Sequence, residues 1–570
     1  MSGRHRIGAT VLLAAAGVVL AVLGVGSFGN PFSADETVRS VPAGATSSTP
    51  LTSGVLAERQ SGILSDEDQR LLTLVASVRP GSPPYLQSLD GSQTLVLTAG
   101  GLSYGLADLL TYGAAQVQPD GSVLITKHVF VAPGARLTIT APGGTLRLSS
   151  DLSGFVSLVA WKADLVLAGA QGQQLTVTSW DPAAQTPDRT AVDGRAYIRD
   201  VSGDMQVRYV AADGLGFWAG RTSGVAWTGS TRTAATGAIT SSSFRENHYG
   251  AFASQGQGIT VTDSDFSGNE VDGLSLHRST AATTIGNSTA RGNGRHGFSA
   301  DQGSESITYT DVTAEENTDY GVFFSGTPLS AGQSAGGASL RAYGQVHVSG
   351  GVLRQNGKAG LRVVDGDDVT IADTRVADNT DGIVVVGTTA PTSIEGTTVS
   401  GNRRFGISVS AGTATVRGNQ LSGSETAIRV RDAAVTVTGN DVRKATAHAV
   451  SVVGAADGSS VSDNTIGGRG PSGLDVYRVD AGVSIDLSGN DVAGWTRDRD
   501  DVTYWSTFIP NHPLLLLWVA LLGAPLLLAV RARRNRPQRP VGTPYPEVVR
   551  RERAAPVQVD VGRRIPSGQL

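Results

Sequence analysis

Two residues near the middle of this chain could carry acid–base chemistry together: His277 and Asp301, 24 positions apart. Imidazole titrates near neutrality, so it can both take and give a proton, and a carboxylate beside it fixes which ring nitrogen is protonated. Arg278, next in sequence, adds a cation that could neutralise a substrate carboxylate. Composition removes much other chemistry. The chain has no cysteine, which excludes disulfides, thiolate zinc sites, iron–sulfur clusters and cysteine nucleophiles. Two Met and eight His argue against copper handling. The acidic run Asp365-Gly366-Asp367-Asp368 reads as a solvated turn rather than a calcium loop, and neither metal nor cofactor is implied. A paired-carboxylate glycosidase needs two acids about 5–10 Å apart. Asp272 and Asp301 are the only nearby pair, and Asp272 falls in a turn.

The elements that must position these residues are repeats. From Phe244 a short phrase recurs around Asn247, Asn269, Asn293, Asn317, Asn356, Asn379 and Asn402, with spacings of 22, 24, 24, 39, 23 and 23. A second column runs half a repeat away through Asn287, Asp311, Asp373, Asn419, Asn440, Asn464 and Asn490. A period near 23 marks a solenoid. Each repeat holds short β-branched stretches between Gly, Asn and Asp turns, and the Leu-x-x-Leu-x-Leu phrase of leucine-rich repeats is absent. The remaining reading is all-β: a right-handed parallel β-helix of ~23-residue coils with three strands each. The long step equals one coil plus about 15 residues, read as a loop at 326–344 leaving the stack. Turn Asn tolerates the left-handed backbone, and its amide can bond the coils above and below. The glycine after each turn (Gly250, Gly273, Gly297, Gly321, Gly360, Gly382, Gly406) is expected to supply a special backbone angle.

Strand alternation sorts the side chains after each glycine. Leu274 and Leu276 point in, and Ser275 and His277 point out; Phe298 and Ala300 point in, and Ser299 and Asp301 point out. The outer columns then read Phe252, Ser275, Ser299, Phe323, Arg362 and Ser254, His277, Asp301, Ser325. His277 and Asp301 become neighbours on adjacent coils. Two exposed Phe flanking a polar strip suit a sugar chain, with ring faces for ring faces and polar groups for hydroxyls. His296, in the turn before Gly297, reads as structural.

The ends read as membrane segments. Ile7 to Phe28 carries no charge and follows Arg4 and Arg6; Pro513 to Val530 follows Tyr504 and Trp505 and precedes Arg531, Arg533, Arg534, Arg536 and Arg539. Basic flanks stay cytoplasmic, which places the body outside the cell membrane. The chain divides into 1–34, a signal anchor or signal peptide; 35–121, a spacer with a cap region; 122–500, the β-helix; 501–530, a C-terminal transmembrane segment; and 531–570, a disordered basic cytoplasmic tail. Short helical patterns at Asp66–Val78 and Tyr104–Leu110 are expected to cover the first coil. The tail carries ten Arg against three acids, so with a net charge of -4 the remainder is acidic, which does not suggest nucleic-acid binding.

Between about Val123 and Asn402 the sequence resembles the periplasmic mannuronan C5-epimerases of alginate-producing bacteria, and more broadly the carbohydrate-binding and sugar-hydrolase β-helices. The resemblance rests on VTSWDPA at 177–183, RAYIRD at 195–200, ENHYGAF at 246–252 and VDGLSLHRSTAATTIGNSTARGNGRHGFSADQ at 271–302. The epimerases have Tyr-Gly-x-Asp-Pro-His-Asp there, then a Lys/Arg-His-Gly phrase and an Arg six residues past its His. Asp272 takes the Tyr place, Ser275-Leu276-His277-Arg278 the Asp-Pro-His-Asp place, and Gln302 the Arg place. The resemblance implies His277 as general base and a secreted polysaccharide, such as a polyuronate, as substrate of an epimerase or lyase. A β-helix that only guides or holds a glycan would stand beside a membrane polysaccharide synthase. The alternative is a non-catalytic glycan-binding or structural surface β-helix. The expected site is catalytic His277, Asp301 and Arg278, with Phe252, Ser275, Ser299, Gln302, Phe323 and Arg362 contacting substrate.

Overall fold

Short apolar stretches that alternate in and out cannot bury their inner face alone, so each coil is stable only against the next. The computed structural model describes residues 53–498, apart from 90, 99–102, 331–338 and 389, together with residue 531. In that span the chain winds through three sheets of 16, 14 and 18 strands, nearly all parallel. One coil runs Leu274–His277 in the first sheet, Ala281–Gly286 in the second and Thr289–Arg291 in the third; the next runs Phe298–Ala300, Glu305–Thr310 and Thr313–Glu315. This is a parallel β-helix.

The interior is one continuous column. Leu274, Leu276, Ile285, Ala290, Phe298, Ala300, Ile307, Tyr309 and Ala314 meet inside it. Phe244 and Phe266 stack there with centroids 5.0 Å apart and planes 8° apart. Fully burying a large apolar side chain is worth about 1.5–3 kcal/mol, and in a solenoid that term accrues coil by coil.

The Asn column forms a ladder. From Asn269 through Asn293, Asn317, Asn356 and Asn379, each side-chain amide donates to the Oδ1 of the next Asn at 2.9–3.0 Å, ending on Asn402. That Oδ1 also accepts the preceding Asn's backbone N–H at 2.8–3.2 Å. Across the 39-residue step the amide bond is still 2.9 Å and the backbone bond 3.2 Å, so the extra residues leave without breaking the ladder. Buried amides that would otherwise be costly are satisfied by repetition. The second column is only partly what its spacing suggests. Asn419, Asn440, Asn464 and Asn490 form a ladder of the same kind. Asn287, Asp311 and Asp373 instead occupy left-handed turn positions, with φ of 47°, 52° and 50°. The buried neighbour position there belongs to Ser288, Val312 and Thr374.

The glycine column has a different cause from the one expected. None of Gly250, Gly273, Gly297, Gly321, Gly360, Gly382 or Gly406 has a positive φ. Space is what requires them: a Cβ on Gly250 would lie 2.2 Å from the carbonyl oxygen of Gly273, and one on Gly297 would lie 2.7 Å from that of Gly321.

At the N-terminal end the helix α1 (Ser53–Ser77) contains all but the last residue of the pattern read at Asp66–Val78 and extends it 13 residues upstream. It lies on the outer face of the first sheet, where Leu64, Leu71 and Leu74 meet Val96, Phe130 and Val159. A second helix, α2 (Leu106–Thr111), sends Leu109 into the interior column. Strand pairing already begins at Tyr85–Leu89, antiparallel to Ser92–Leu97, which in turn lies parallel to His128–Val131. Among the described residues no helix is long and apolar enough to cross a membrane. The apolar runs at 7–28 and 513–530, most of the spacer and the basic tail apart from Arg531 lie outside the described residues.

Candidate functional site

The first sheet sets the site's register. Phe252 is paired with Ser275, Ser275 with Ser299, Ser299 with Phe323, and Phe323 with Arg362. Ser254 is paired with His277. Leu276 is buried in the core and His277 faces outward, as strand alternation requires. Asp301 follows the next strand, and its backbone N–H donates to the Leu276 carbonyl at 3.0 Å. That bond sets the carboxylate beside the imidazole: His277 Nδ1 donates to Asp301 Oδ1 at 2.6 Å. The side chains are 27% and 30% exposed, so the pair remains partly open on this face. Thr280 Oγ1 donates to the His277 carbonyl at 2.8 Å and holds the turn that follows. Within that turn Arg278 (φ 41°) and Ser279 (φ 57°) are both left-handed. The Ser279 N–H donates to the Gln302 carbonyl at 3.1 Å, so the Arg278 and Gln302 turns are adjacent, and both side chains are exposed.

Three of the expected contact residues are not open. Phe252 points away from the coil interior, but a short 3-10 turn, Gly220–Thr222, covers it; a Cβ on Gly220 would lie 2.2 Å from the ring. Tyr249, Ala226 and Val271 complete its cover, and its ring lies 5.6 Å from that of His277. Phe252 therefore packs behind the imidazole rather than presenting a face to a sugar. Ser275 and Ser299 also point outward and are also buried. Ser299 Oγ lies within hydrogen-bond distance of Asp272 Oδ2 at 2.7 Å and of Ser275 Oγ at 3.0 Å.

Asp272 anchors this buried network. It is wholly buried and accepts from Arg295 Nε at 2.9 Å and Nη2 at 2.8 Å, and from the His296 N–H at 3.1 Å. Burial by itself would raise its pKa; Arg295, His296 and Ser299 override that and hold the carboxyl well below its ordinary range. Asp272 therefore cannot serve as the second acid of a glycosidase. Its role is to hold Arg295, whose side chain stays 39% exposed. The charge of Asp272 raises the Arg295 pKa most, burial opposes it, and the charge of Asp301 adds a smaller rise, so Asp301 lies within electrostatic range of the guanidinium that Asp272 holds. Arg291 is used elsewhere, paired with Glu315 and Glu316.

Two coils on, Phe323 is half-buried in a stack with Tyr320 (5.7 Å, 17°) and His296 (4.9 Å, 25°). Burial lowers the His296 pKa to about 4, partly opposed by Asp272, so this ring is neutral near pH 7. Arg362 lies over the Tyr320 ring at 5.5 Å.

Other constellations join residues whose spacing in sequence gave no signal. His248 Nδ1 donates to Glu270 Oε2 at 2.9 Å while buried Arg195 donates to Glu270 Oε1 at 2.8 Å. His448, Ser451, Asp475 and Arg478 meet near the C-terminal end of the first sheet. A groove of about 770 Å³ opens on the third sheet, lined by Arg189, Asp213, Arg245, Glu246, Asp263 and Asp265. Its arginines are taken up by Asp213, Glu246 and Asp265, and no histidine lines it. This groove and the acid–base pair are thus on different faces, and the pair has the groups that proton transfer needs. Among the described residues no group of three or more acidic or imidazole side chains could hold a metal ion.

Comparison with known proteins agrees with this architecture. Residues 219–331 and 329–466 match the family model described as right handed beta helix region, which gives the coil its hand. No curated protein matches the chain in sequence. Among solved structures, the periplasmic alginate epimerase AlgG is 15% identical, with 79% of this chain and 99% of that chain covered and a TM-score of 0.45. The A-module of the mannuronan C-5 epimerase AlgE6 of Azotobacter vinelandii is 16% identical over 72% of this chain and 92% of that chain, with a TM-score of 0.32. The catalytic unit of a GH87 alpha-1,3-glucanase from Streptomyces thermodiastaticus strain HF3-3 is 13% identical over 63% and 65%, with a TM-score of 0.34. At these scores the likenesses transfer no function, and the fold rests on the strand ladders and the family model.

Proposed function

We propose that this chain is a membrane-tethered, extracytoplasmic β-helix that binds a secreted polysaccharide on the outer face of its first sheet and modifies it there. The observation that carries this reading is the His277–Asp301 hydrogen bond, 2.6 Å long and half-exposed on an outward strand face. Asp301 fixes the tautomer, with the proton on Nδ1, and leaves Nε2 free to take a proton. On a uronate the proton is the one at C5. Neutralising the adjacent carboxylate lowers the cost of the carbanion that forms, and Arg295, held by Asp272, or exposed Arg278 supplies that charge. Returning a proton to the opposite ring face completes an epimerisation; expelling the group at C4 completes a β-elimination. Both share the first half, so the substrate class is a polyuronate and the reaction is C5-epimerase-like or lyase-like. Gln302, Phe323 and Arg362 lie along the same face. A membrane polysaccharide synthase would deliver such a chain to this side of the membrane.

One observation favours a second reading, glycan binding without chemistry. The His277 and Asp301 side chains are 27% and 30% exposed and the 770 Å³ groove lies on another sheet, so the pair is less enclosed than proton transfer prefers. One experiment separates the two. The purified full chain is incubated with polyuronates in deuterated water, with C5 deuterium and unsaturated chain ends as readouts. Exchange that His277→Ala abolishes, with glycan retention kept, supports catalysis, because a base acts in the transition state. Retention without exchange in the unaltered chain leaves binding alone. Exchange undiminished by His277→Ala overturns the assignment of the base.

A further inference from the structure

Arginine is the commonest cation in this chain, and on the described coils nearly every half-buried or buried one faces an acid. Arg195 meets Glu270, Arg199 lies near Asp68, Arg147 meets Asp120, and Arg70 meets Glu67. Exposed arginines without an ion pair, such as Arg278, Arg375 and Arg403, need no partner because water solvates them. Two arginines among the described residues fit neither group. Arg362 and Arg429 are each half-buried, and no carboxylate of the described residues lies within ion-pair distance of either.

They are built alike. Arg362 lies over the Tyr320 ring at 5.5 Å, and Arg429 over the Phe405 ring at 4.8 Å. Both project from the outer face of the first sheet in one column: Arg362 pairs with Val384, Val384 with Ser408, and Ser408 with Arg429. Three strand spacings separate them, about 14 Å along the axis. His277 stands three strands before Arg362 on the same face, so the interval recurs. The surroundings of Arg429 add positive charge. Arg404 and Arg478 are tied to Asp381 and Asp475, and exposed Arg431 reaches Asp432 at 3.3 Å. Burial first, and then those neighbouring guanidiniums, lower the Arg429 pKa, and the more distant Asp381 opposes them only in part.

A half-buried charge without a partner costs folding free energy, and an aromatic face returns only part of it. Two such charges with one construction, at a fixed interval on one column, point to a ligand that supplies the acid. We infer that Arg362 and Arg429 are anion subsites for one polyanionic glycan lying along the helix axis, its acidic groups falling on the two guanidinium forks. The polymer's identity as a glycan rests on the function proposed above; the two subsites rest on their own geometry. Guanidinium forks take carboxylate and sulfate alike, so both kinds of acidic polysaccharide belong to this class. Only small side chains, Val384 and Ser408, lie between the subsites in that column, which leaves the chain a level path.

The test uses the full chain, purified in detergent, and measures its affinity for polygalacturonate, for dextran sulfate and for uncharged dextran. Arg429→Gln and Arg362→Gln are each expected to weaken binding of both acidic polymers about ten-fold, the loss expected for a charged hydrogen bond. The double variant is expected to lose more than either. Arg375→Gln removes the same charge from the third sheet and is expected to change nothing. Melting temperatures of the Gln variants should not fall, since neither arginine holds a carboxylate, and this keeps a binding loss distinct from unfolding. Unaltered affinity in both single variants overturns the inference while leaving the His277 exchange test untouched. Equal retention of uncharged dextran, or an equal loss in Arg375→Gln, overturns it too. A response to inorganic sulfate with no gain for the polymers reduces the pair to a free-anion site and overturns the glycan. Loss of exchange in His277→Ala with wild-type affinity for the acidic polymers would support the proposed chemistry without bearing on the two subsites.

Discussion

Replacing Asp272 by Asn should destabilise the middle of the solenoid by about 2–3 kcal/mol at neutral pH. Asp272 is fully buried and accepts bonds from Arg295, the His296 N–H and Ser299 Oγ. Removing one partner of a buried ion pair costs about 3–5 kcal/mol. Arg295 is 39% exposed, so it regains water once released, which reduces the loss to the lower figure. Asn keeps one acceptor for the His296 N–H but turns an NH2 group towards donors. The pH dependence follows from the direction of the shift. The folded Asp272 pKa lies far below its unfolded value of about 3.9, because Arg295, His296 and Ser299 outweigh the burial that would raise it. Its contribution is therefore fully present above about pH 4 and is lost as pH falls towards the folded value. The gap between wild type and Asp272→Asn should be level from pH 5 to 8 and shrink below about pH 4. A solenoid need not unfold in one step, so the measurement pairs urea denaturation at several pH values with amide hydrogen exchange across residues 273–300. A cost under about 0.5 kcal/mol, or a gap that does not narrow at pH 3, would refute the view that this carboxylate is ionised and fixes Arg295.

Three further outcomes follow from particular contacts. Gly297→Ala should cost about 1–3 kcal/mol in denaturant midpoint, because its Cβ meets the Gly321 carbonyl at 2.7 Å and Asn317 Nδ2 at 2.9 Å; Gly268→Asn, at φ 66° with open space, should be nearly silent. Burial pushes the pKa of Asp200, wholly inside the first-sheet strand Tyr197–Val201, up to about 8. Its folded pKa is raised, so its stabilising effect is complete below about pH 4 and fades as pH rises towards 8; Asp200→Asn should remove that slope and stabilise the fold by about 3 kcal/mol at pH 7, read from urea curves at pH 4 and 7. Reporter fusions at Ser47 and Gln569 should report opposite compartments if both apolar runs cross the membrane, and a shared compartment would overturn that topology.

What the sequence made legible was what repetition encodes. The period gave the coil, and alternation gave the inward and outward phase, so His277 and Asp301 could be set side by side before any coordinates. Features that depend on non-repeating segments stayed hidden. Phe252 is outward by phase and covered in fact, because the Gly220–Thr222 turn folds back from the preceding coil. Ser275 and Ser299 are likewise outward and buried, since Asp272 and Arg295 from the flanking turns close over them. The glycine column was visible as spacing, yet spacing alone does not separate a left-handed turn from a close approach of backbones. Arg429 gave a faint signal: its outward column neighbours are Ser408 and Ser451, with no acid on either side.

The arrangement also explains how one fold can hold a costly site without destabilising its neighbours. Each coil contacts only the coils beside it, so the expense of a half-buried cation or an ion-paired turn stays local. The Asn ladder runs along another corner from Asn247 to Asn402, and its amide bonds beside Asn293 and beside Asn379 are 2.9 and 3.0 Å long. Strand spacing is fixed by backbone bonding at about 4.8 Å, so the outer face is a ruler on which side chains can change without moving one another. A site that needs an imidazole, a carboxylate and a guanidinium can draw them from two consecutive turns, as Asp272, His277, Arg295 and Asp301 are drawn here. A long polymer then meets further groups at whole multiples of the same interval. The position of Arg429, six strands beyond His277, is therefore as fixed as that of Asp301, one coil away.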